Sequence, residues 1–249
     1  MAAHDASRPG IQDVTASQGT LALVGAGEFL PSMQTVDREL LLRSRGDRVV
    51  ILPTASAPDG SVVFERWASM GVKHFRDLGA RAVAVRAMSR EDCLLEGIAA
   101  QIEDADLIYF SGGKPDYLYR ALENTPSWQS VLRVLERGGV VAGCSAGAMI
   151  LGAFIPTFRL RQVPGRTALW GPAFGLVPDS VVIPHFNEMP RAMLRAWVAI
   201  RPSGTRALGV DRASALVGRA GDWQVMGTGN VTVIDTGRET ILRAGDRMA

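Results

Sequence analysis

The clearest chemical signal in the sequence is a glycine-flanked serine, in the segment GCSAG at residues 143–147. This G-x-S-x-G pattern is typical of a serine nucleophile held on a sharp turn between a strand and a helix. An apolar run precedes it and an apolar helical stretch follows, which is the context that the pattern requires. Such a turn would expose the Ser145 hydroxyl and leave the N–H of Ala146 free to stabilise negative charge. The alternative is a small residue at a tight turn, and Cys144 is expected to point into the core.

A serine hydroxyl needs a general base, and histidine is the usual one because it titrates near neutral pH. The chain has three histidines. His4 falls in the polar N-terminal segment, and His74 lies within a helical pattern, where a packing or surface role is expected. His185 lies at the end of the apolar stretch VVIPHF, so it follows a strand as the serine does. We therefore predict His185 as the base.

A second glycine-bearing turn, Ser111-Gly112-Gly113, also follows an apolar run. In open parallel sheets, ligands bind beyond the carboxyl ends of the strands, so this turn is expected to lie beside Ser145. Gly113 would supply the second oxyanion N–H together with Ala146, and Gly112 would line the substrate position.

Strands and helices alternate from residue 20 onward. The predicted strands cover residues 20–27, 48–56, 81–87, 106–113, 140–146 and 181–186. Regular alternation with helices implies a largely parallel sheet covered on both faces. The predicted fold class is a three-layer, doubly wound α/β domain, with late antiparallel edge strands at 207–218 and 222–235.

Composition and charge limit the function classes. The chain has 249 residues, 47% of them hydrophobic, which suits one α/β domain over 19–249 after a polar, disordered leader at 1–18. The net charge is +2 without a basic run, so neither nucleic acid nor a membrane surface is indicated. Two cysteines, Cys93 and Cys144, fit neither a disulfide framework nor a zinc site. We expect a cytoplasmic protein, and the C-terminal strands could form the edge of a homodimer.

Four segments occur in the order found in serine peptidase family S51: FSGGKPDYL at 110–118, GCSAGA at 143–148, PHF at 184–186 and ALGVDRASALV at 207–217. The chain resembles this family, which includes the dipeptidase E type and the cyanophycinases, over about residues 20–217. The resemblance implies a fold similar to the class I glutamine amidotransferase domain, with serine where amidotransferases have cysteine. It also implies Ser145 as nucleophile, His185 as base, and Gly113 and Ala146 as the oxyanion hole, with no metal or organic cofactor.

The chain departs from the family pattern around the site. Pro115, after Lys114, stands where the family commonly has Asn or Gln. In cyanophycinase-type members several arginines follow the histidine and hold the acidic polymer. Here Arg191 remains, whereas Met189 and Leu194 occupy positions where arginines are expected. These differences argue against cyanophycin as the substrate.

The third member of the triad has several candidates. Cyanophycinase-like members have an acid in a segment that reads GVDR here, with Arg212 at the acid's position. Dipeptidase E-type members have an aspartate in a loop whose counterpart here contains Gln162 and no acid. Asp211 is our first choice, while Glu188, Glu28 or a backbone carbonyl could orient the histidine instead.

Other charged residues could recognise substrate. Glu28 follows the first strand and could meet a substrate amine at the rim of the site. Arg159, Arg161 and Arg191 could meet a substrate carboxylate.

We therefore expect a serine-type peptidase or amidohydrolase that acts on a small peptide or amide through an acyl-enzyme at Ser145. The alternative is a non-catalytic, ligand-binding protein of the same fold, which Arg212 and Pro115 favour. A third hypothesis, an amidotransferase-like enzyme that uses glutamine, would need Cys144, which lies one residue out of position.

Overall fold

A computed structural model describes residues 18–157 and 169–249 of the chain. Nearly all of the predicted leader lies outside the described residues. So do Arg159, Arg161 and Gln162.

The larger sheet has eight strands: β1 (Thr20–Val24), β2 (Arg48–Leu52), β3 (Arg81–Ala84), β4 (Leu107–Phe110), β5 (Val140–Cys144), β10 (Ser214–Arg219), β11 (Asp222–Gly227) and β14 (Arg247–Met248). Their order across the sheet is β14-β11-β10-β1-β5-β4-β2-β3. The five strands from β1 to β3 in this order are mutually parallel, and the other three are joined by antiparallel pairing at the β1 side.

Helices lie between many of the strands along the chain. They are α1 (Gln34–Arg43), α2 (Ser61–Asp77), α3 (Arg90–Cys93), α4 (Glu96–Glu103), α5 (Pro115–Leu122), α6 (Pro126–Glu136), α7 (Ala146–Leu151) and α8 (Arg191–Ala199). Local signals mark the start of two of them. Ser89 and Asp92 form a capping box at the start of α3, and Pro115 occupies the first turn of α5.

The central sheet is buried on both faces, as its apolar strands predict. Leu23, Ile108 and Phe110 belong to the hydrophobic cluster under α4–α7. Their chain neighbours Val24 and Tyr109 belong to the cluster under α1 and α2. Because successive strand residues face opposite sides, one sheet separates two helical layers. The three-layer, doubly wound fold is confirmed.

Six further strands form a second sheet: β6 (Phe154–Pro156), β7 (Trp170–Pro172), β8 (Ser180–Ile183), β9 (Arg206–Val210), β12 (Val231–Asp235) and β13 (Arg238–Leu242). Their order is β13-β12-β9-β8-β6-β7. The sequence predicted only late edge strands on one sheet, and the structure instead places β9 and β12 in this separate sheet. The chain leaves this sheet after β9 and enters the larger one at β10. Ala213 makes the crossing with a φ of 56° and donates its N–H to the Ala26 carbonyl at 3.0 Å.

None of the helices in residues 18–157 and 169–249 is long and apolar enough to cross a membrane. The same parts of the chain contain no group of three or more His, Cys, Asp or Glu side chains arranged to hold a metal ion.

Candidate active site

Ser145 lies at the turn between β5 and α7, with φ 52° and ψ −113°. This conformation is strained for a residue with a side chain, so the surrounding structure must enforce it. Close packing around the two flanking glycines, Gly143 and Gly147, holds Ser145 in this conformation. A Cβ on Gly143 would lie 2.3 Å from the Gly147 carbonyl, and one on Gly147 would lie 2.5 Å from the Phe110 carbonyl oxygen. The strand and the helix can approach this closely only because both flanking residues are glycine.

His185 follows β8 and reaches the serine from the second sheet. Its Nε2 lies 3.2 Å from the Ser145 Oγ, within reach of a proton transfer. Backbone hydrogen bonds hold the histidine loop to both sheets. His185 N–H donates to the Gly25 carbonyl at 3.3 Å, and Phe186 N–H donates to the Val210 carbonyl at 3.1 Å. The structure thus brings together the two residues predicted as nucleophile and base.

Glu188, rather than Asp211, contacts the other side of the histidine ring. Its Oε2 lies 2.6 Å from His185 Nδ1. The Asp211 carboxylate turns away and accepts from Asn230, 3.0 Å from its backbone N and 3.3 Å from its Nδ2. The prediction of Asp211 as the orienting acid therefore does not match the geometry. The reason is alternation at the end of β9, where Asp211 faces inward and Arg212 faces the histidine loop.

Arg212 holds the second oxygen of Glu188. Its Nη1 lies 2.9 Å from Glu188 Oε1, and its backbone N–H donates to Asn187 Oδ1 at 2.9 Å. Hydrogen bonds from Arg212 and then from His185 lower the pKa of Glu188. Sequence analysis did not predict the ion pair between Arg212 and Glu188, and it named Glu188 only as an alternative to Asp211. The signal that favours Glu188 is its spacing of three residues from His185 in PHFNE.

Two backbone hydrogen bonds fix the ends of the turn after β4. Ser111 N–H donates to the Leu52 carbonyl at 3.3 Å, and Lys114 N–H donates to the Ala55 carbonyl at 2.8 Å. Gly113, with φ 144°, passes so close that an added Cβ would lie 2.3 Å from the Ala55 carbonyl oxygen. Within the described parts of the chain, the Gly113 N–H has no hydrogen-bond acceptor.

Gly112 packs directly against the serine. An added Cβ would lie 3.3 Å from Ser145 Cβ and 3.6 Å from its Oγ. The Gly112 N–H is engaged by Glu28 Oε1 at 3.0 Å, so Gly113 offers the available donor. Ala146 is the first residue of α7, and its N–H therefore has no acceptor within the helix.

Glu28 is buried behind this turn, with 7% of its surface exposed, and does not lie at the rim where sequence analysis expected it. Its Oε2 accepts from the Cys144 thiol at 2.9 Å. Burial, reinforced by the nearby Glu28 carboxyl, raises the Cys144 pKa well above its usual value. A protonated, inward-facing thiol is a poor nucleophile, which argues against an amidotransferase-like reaction.

The remaining predicted residues lie farther from the chemistry. Arg191 is exposed at the start of α8, and within residues 18–157 and 169–249 it makes no ion pair. Lys114 pairs with Asp59, with 2.8 Å between Nζ and Oδ1. His74 is buried and lies 2.8 Å from Asp37, so of the packing and surface roles expected for it the structure shows packing.

Comparison with solved structures identifies the class of fold. The structure superposes on the crystal structure of a peptidase from an acI-B1 Actinobacterium with a TM-score of 0.83 and 32% sequence identity. The match covers 94% of this chain and 98% of that one. The fold is that of the class I glutamine amidotransferase-like domains, as predicted.

The family follows from the sequence. A model of peptidase family S51 matches residues 21–225. The chain therefore belongs to peptidase family S51, which confirms the resemblance.

Other relatives have a slightly lower sequence identity to this chain. A cyanophycinase from Trichormus variabilis is 29% identical over 194 residues, which are 75% of this chain and 63% of that protein. An uncharacterized peptidase from Listeria innocua is 30% identical over 148 residues, or 59% of this chain and 68% of that protein. The chain thus spans less than two thirds of the length of the cyanophycinase that it matches.

Proposed function

We propose that this protein is a serine peptidase or amidohydrolase that cleaves a small peptide or amide through an acyl-enzyme at Ser145. The observation that carries the proposal is the continuous chain of contacts from Ser145 Oγ through His185 to Glu188. A nucleophile, a base and an orienting acid in hydrogen-bond contact are the arrangement that activates a serine hydroxyl.

The carboxylate of Glu188 accepts the Nδ1–H of His185 and so leaves Nε2 unprotonated toward the serine. As Ser145 Oγ forms its bond to the substrate carbonyl carbon, its proton passes to Nε2. The carbonyl oxygen becomes an oxyanion, which the N–H groups of Gly113 and Ala146 stabilise.

Collapse of this intermediate breaks the carbon–nitrogen bond, and the imidazolium of His185 donates its proton to the leaving amine. A water molecule then attacks the acyl-enzyme. His185 takes the water proton. It returns this proton to Ser145 Oγ as the bond between Oγ and the acyl carbon breaks, which releases the carboxylic acid product and regenerates the enzyme. Glu188 stays ionised throughout and stabilises the imidazolium, and Arg212 keeps its carboxylate in place.

The proposed substrates are small peptides rather than cyanophycin. A cyanophycinase is among the relatives, but Met189 and Leu194 occupy positions where the family resemblance leads us to expect arginines. The basic side chains that would hold an acidic polymer are therefore fewer in this chain.

Two assays test the proposal on the full chain. p-Nitrophenyl acetate should acetylate Ser145, detected by peptide mass mapping, and a mixture of dipeptides and tripeptides should yield free amino acids. Ser145→Ala should abolish both signals. A folded wild-type protein that neither becomes acetylated nor cleaves any peptide would contradict the proposal.

A further inference from the structure

Glu28 has no part in the proton transfers of the proposed reaction, yet both of its buried carboxylate oxygens have partners at the site. Gly112 N–H donates to Oε1 at 3.0 Å, and the Cys144 thiol donates to Oε2 at 2.9 Å. We propose that Glu28 is a positioning residue that sets the oxyanion hole by fixing the backbone of Gly112. The inference rests on the proposed function, because it assigns a role within the same site.

The turn that carries the oxyanion donor needs such an acceptor. Two consecutive glycines, Gly112 and Gly113, give the backbone unusual freedom between the fixed ends of the turn. The bonds of Ser111 and Lys114 hold those ends, and the bond to Glu28 holds the middle. Without it, the buried Gly112 N–H would lose its partner, and the peptide could rotate toward the space beside the serine.

Glu28, Gly112 and the nucleophile Ser145 lie in one tightly packed group. A Cβ on Gly112 would lie 2.9 Å from Glu28 Oε1 and 3.3 Å from Ser145 Cβ, so these three residues are packed against one another. Any retreat of the Glu28 carboxylate would open space next to Ser145 and release Gly113 from its place.

Cys144 joins the positioning residue to the nucleophile strand. It is the last residue of β5 and immediately precedes Ser145, and its thiol is fully buried against Glu28. One carboxylate thus links the end of β5 to the turn after β4, which carry the two halves of the oxyanion hole. The link requires a hydrogen-bond acceptor at Oε1 but does not require a negative charge.

The test measures the rate of phosphonylation by a fluorophosphonate, followed by intact mass, with kinact and KI determined separately. Glu28→Ala removes the acceptor and Glu28→Asp withdraws it, so each should lower kinact by about thirtyfold. This loss is smaller than that for removing an oxyanion donor altogether, because the Gly113 N–H is misplaced and not absent. Glu28→Gln keeps an oxygen for the Gly112 N–H, so its kinact should stay within about threefold of the wild-type value. KI and the shape of the pH–rate profile should not change, because the proton relay is intact. If Glu28→Ala does not fold, Glu28→Asp carries the comparison.

Asp37→Ala is the matched control. Asp37 is also a fully buried carboxylate, but its hydrogen-bond partner is the His74 side chain and not a backbone N–H of the turn. This variant should lose thermal stability and keep the wild-type kinact.

Three results would overturn the inference while the proposed function survives: labelling of Glu28→Ala and Glu28→Asp at the wild-type rate, equal losses in Glu28→Gln and Glu28→Ala, or an equal loss in Asp37→Ala. Absence of any adduct on the folded wild-type protein would overturn both.

Discussion

Arg212 lies 2.9 Å from Glu188, on the carboxylate oxygen opposite to the one that faces His185. The parallel strands β8 and β9 are neighbours, so the residues that follow them meet at the same edge of the second sheet. This explains how an arginine can occupy the position where the family resemblance predicts an acid. In the proposed site, Glu188 from the histidine's own loop supplies the acid, and Arg212 is the ion-pair partner of that acid.

Glu188 should therefore be needed for labelling of the serine, and Asp211 should not. Glu188→Gln should slow fluorophosphonate labelling on the order of 10³-fold, because the histidine loses the carboxylate that orients it and stabilises its charge. The labelling rate of Asp211→Asn should stay within about threefold of wild type, because the Asp211 carboxylate bonds to Asn230 and not to His185. Labelling rates by intact mass at one pH give the comparison, and the reverse order of effects would restore Asp211 as the acid.

Arg212 should control the ionisation of Glu188. The pKa of Glu188 is lowered from its usual 4.5, chiefly by the Arg212 hydrogen bond, so the carboxylate loses its charge only below that pH. The stability that this ion pair adds is present above pH 4.5 and is lost as the pH falls through the lowered pKa.

Arg212→Gln should move the titration midpoint of the Glu188 side-chain carboxyl upward, toward its usual value. Carboxyl-carbon NMR measures this directly, and the Asp47 carboxyl, paired with Arg81 far along the chain, provides an internal reference. An unchanged Glu188 midpoint would show that Arg212 does not set its charge.

The strand ends and the two turns could be predicted because apolar runs stop where glycine, serine and histidine begin. The choice between Asp211 and Glu188 could not, because it depends on which strands are neighbours. The second sheet could not be predicted either. The chain passes from this sheet to the larger one at Ala213, which has a left-handed conformation, and alanine gives no sequence signal for such a turn. The homodimer and the cytoplasmic location stay predictions.

Both cysteines should resist alkylation in the folded protein. Burial raises the pKa of Cys93 to about 12 and that of Cys144 well above its usual value, so almost no thiolate exists at pH 8. Iodoacetamide followed by intact mass should show no adduct on the native chain and two after denaturation. Rapid modification of native Cys144 would revive the amidotransferase-like hypothesis.

His74 should contribute to stability without affecting the site. His74→Ala should reduce the free energy of unfolding by about 3 kcal/mol, because it leaves a cavity and removes the partner of the buried Asp37 carboxylate. Urea denaturation measures the loss, and the labelling rate of the folded fraction should equal that of wild type. A stable His74→Ala protein with slow labelling would assign His74 to the reaction.

The proposed reaction requires Ser145 to be an activated nucleophile, and the intact mass of the protein after treatment with a fluorophosphonate tests this. We expect one adduct on wild type, none on Ser145→Ala, and a much slower reaction on His185→Ala, with Ser111→Ala labelled at the wild-type rate. No adduct on the folded wild-type protein, or an adduct that persists in Ser145→Ala, would contradict the proposed reaction.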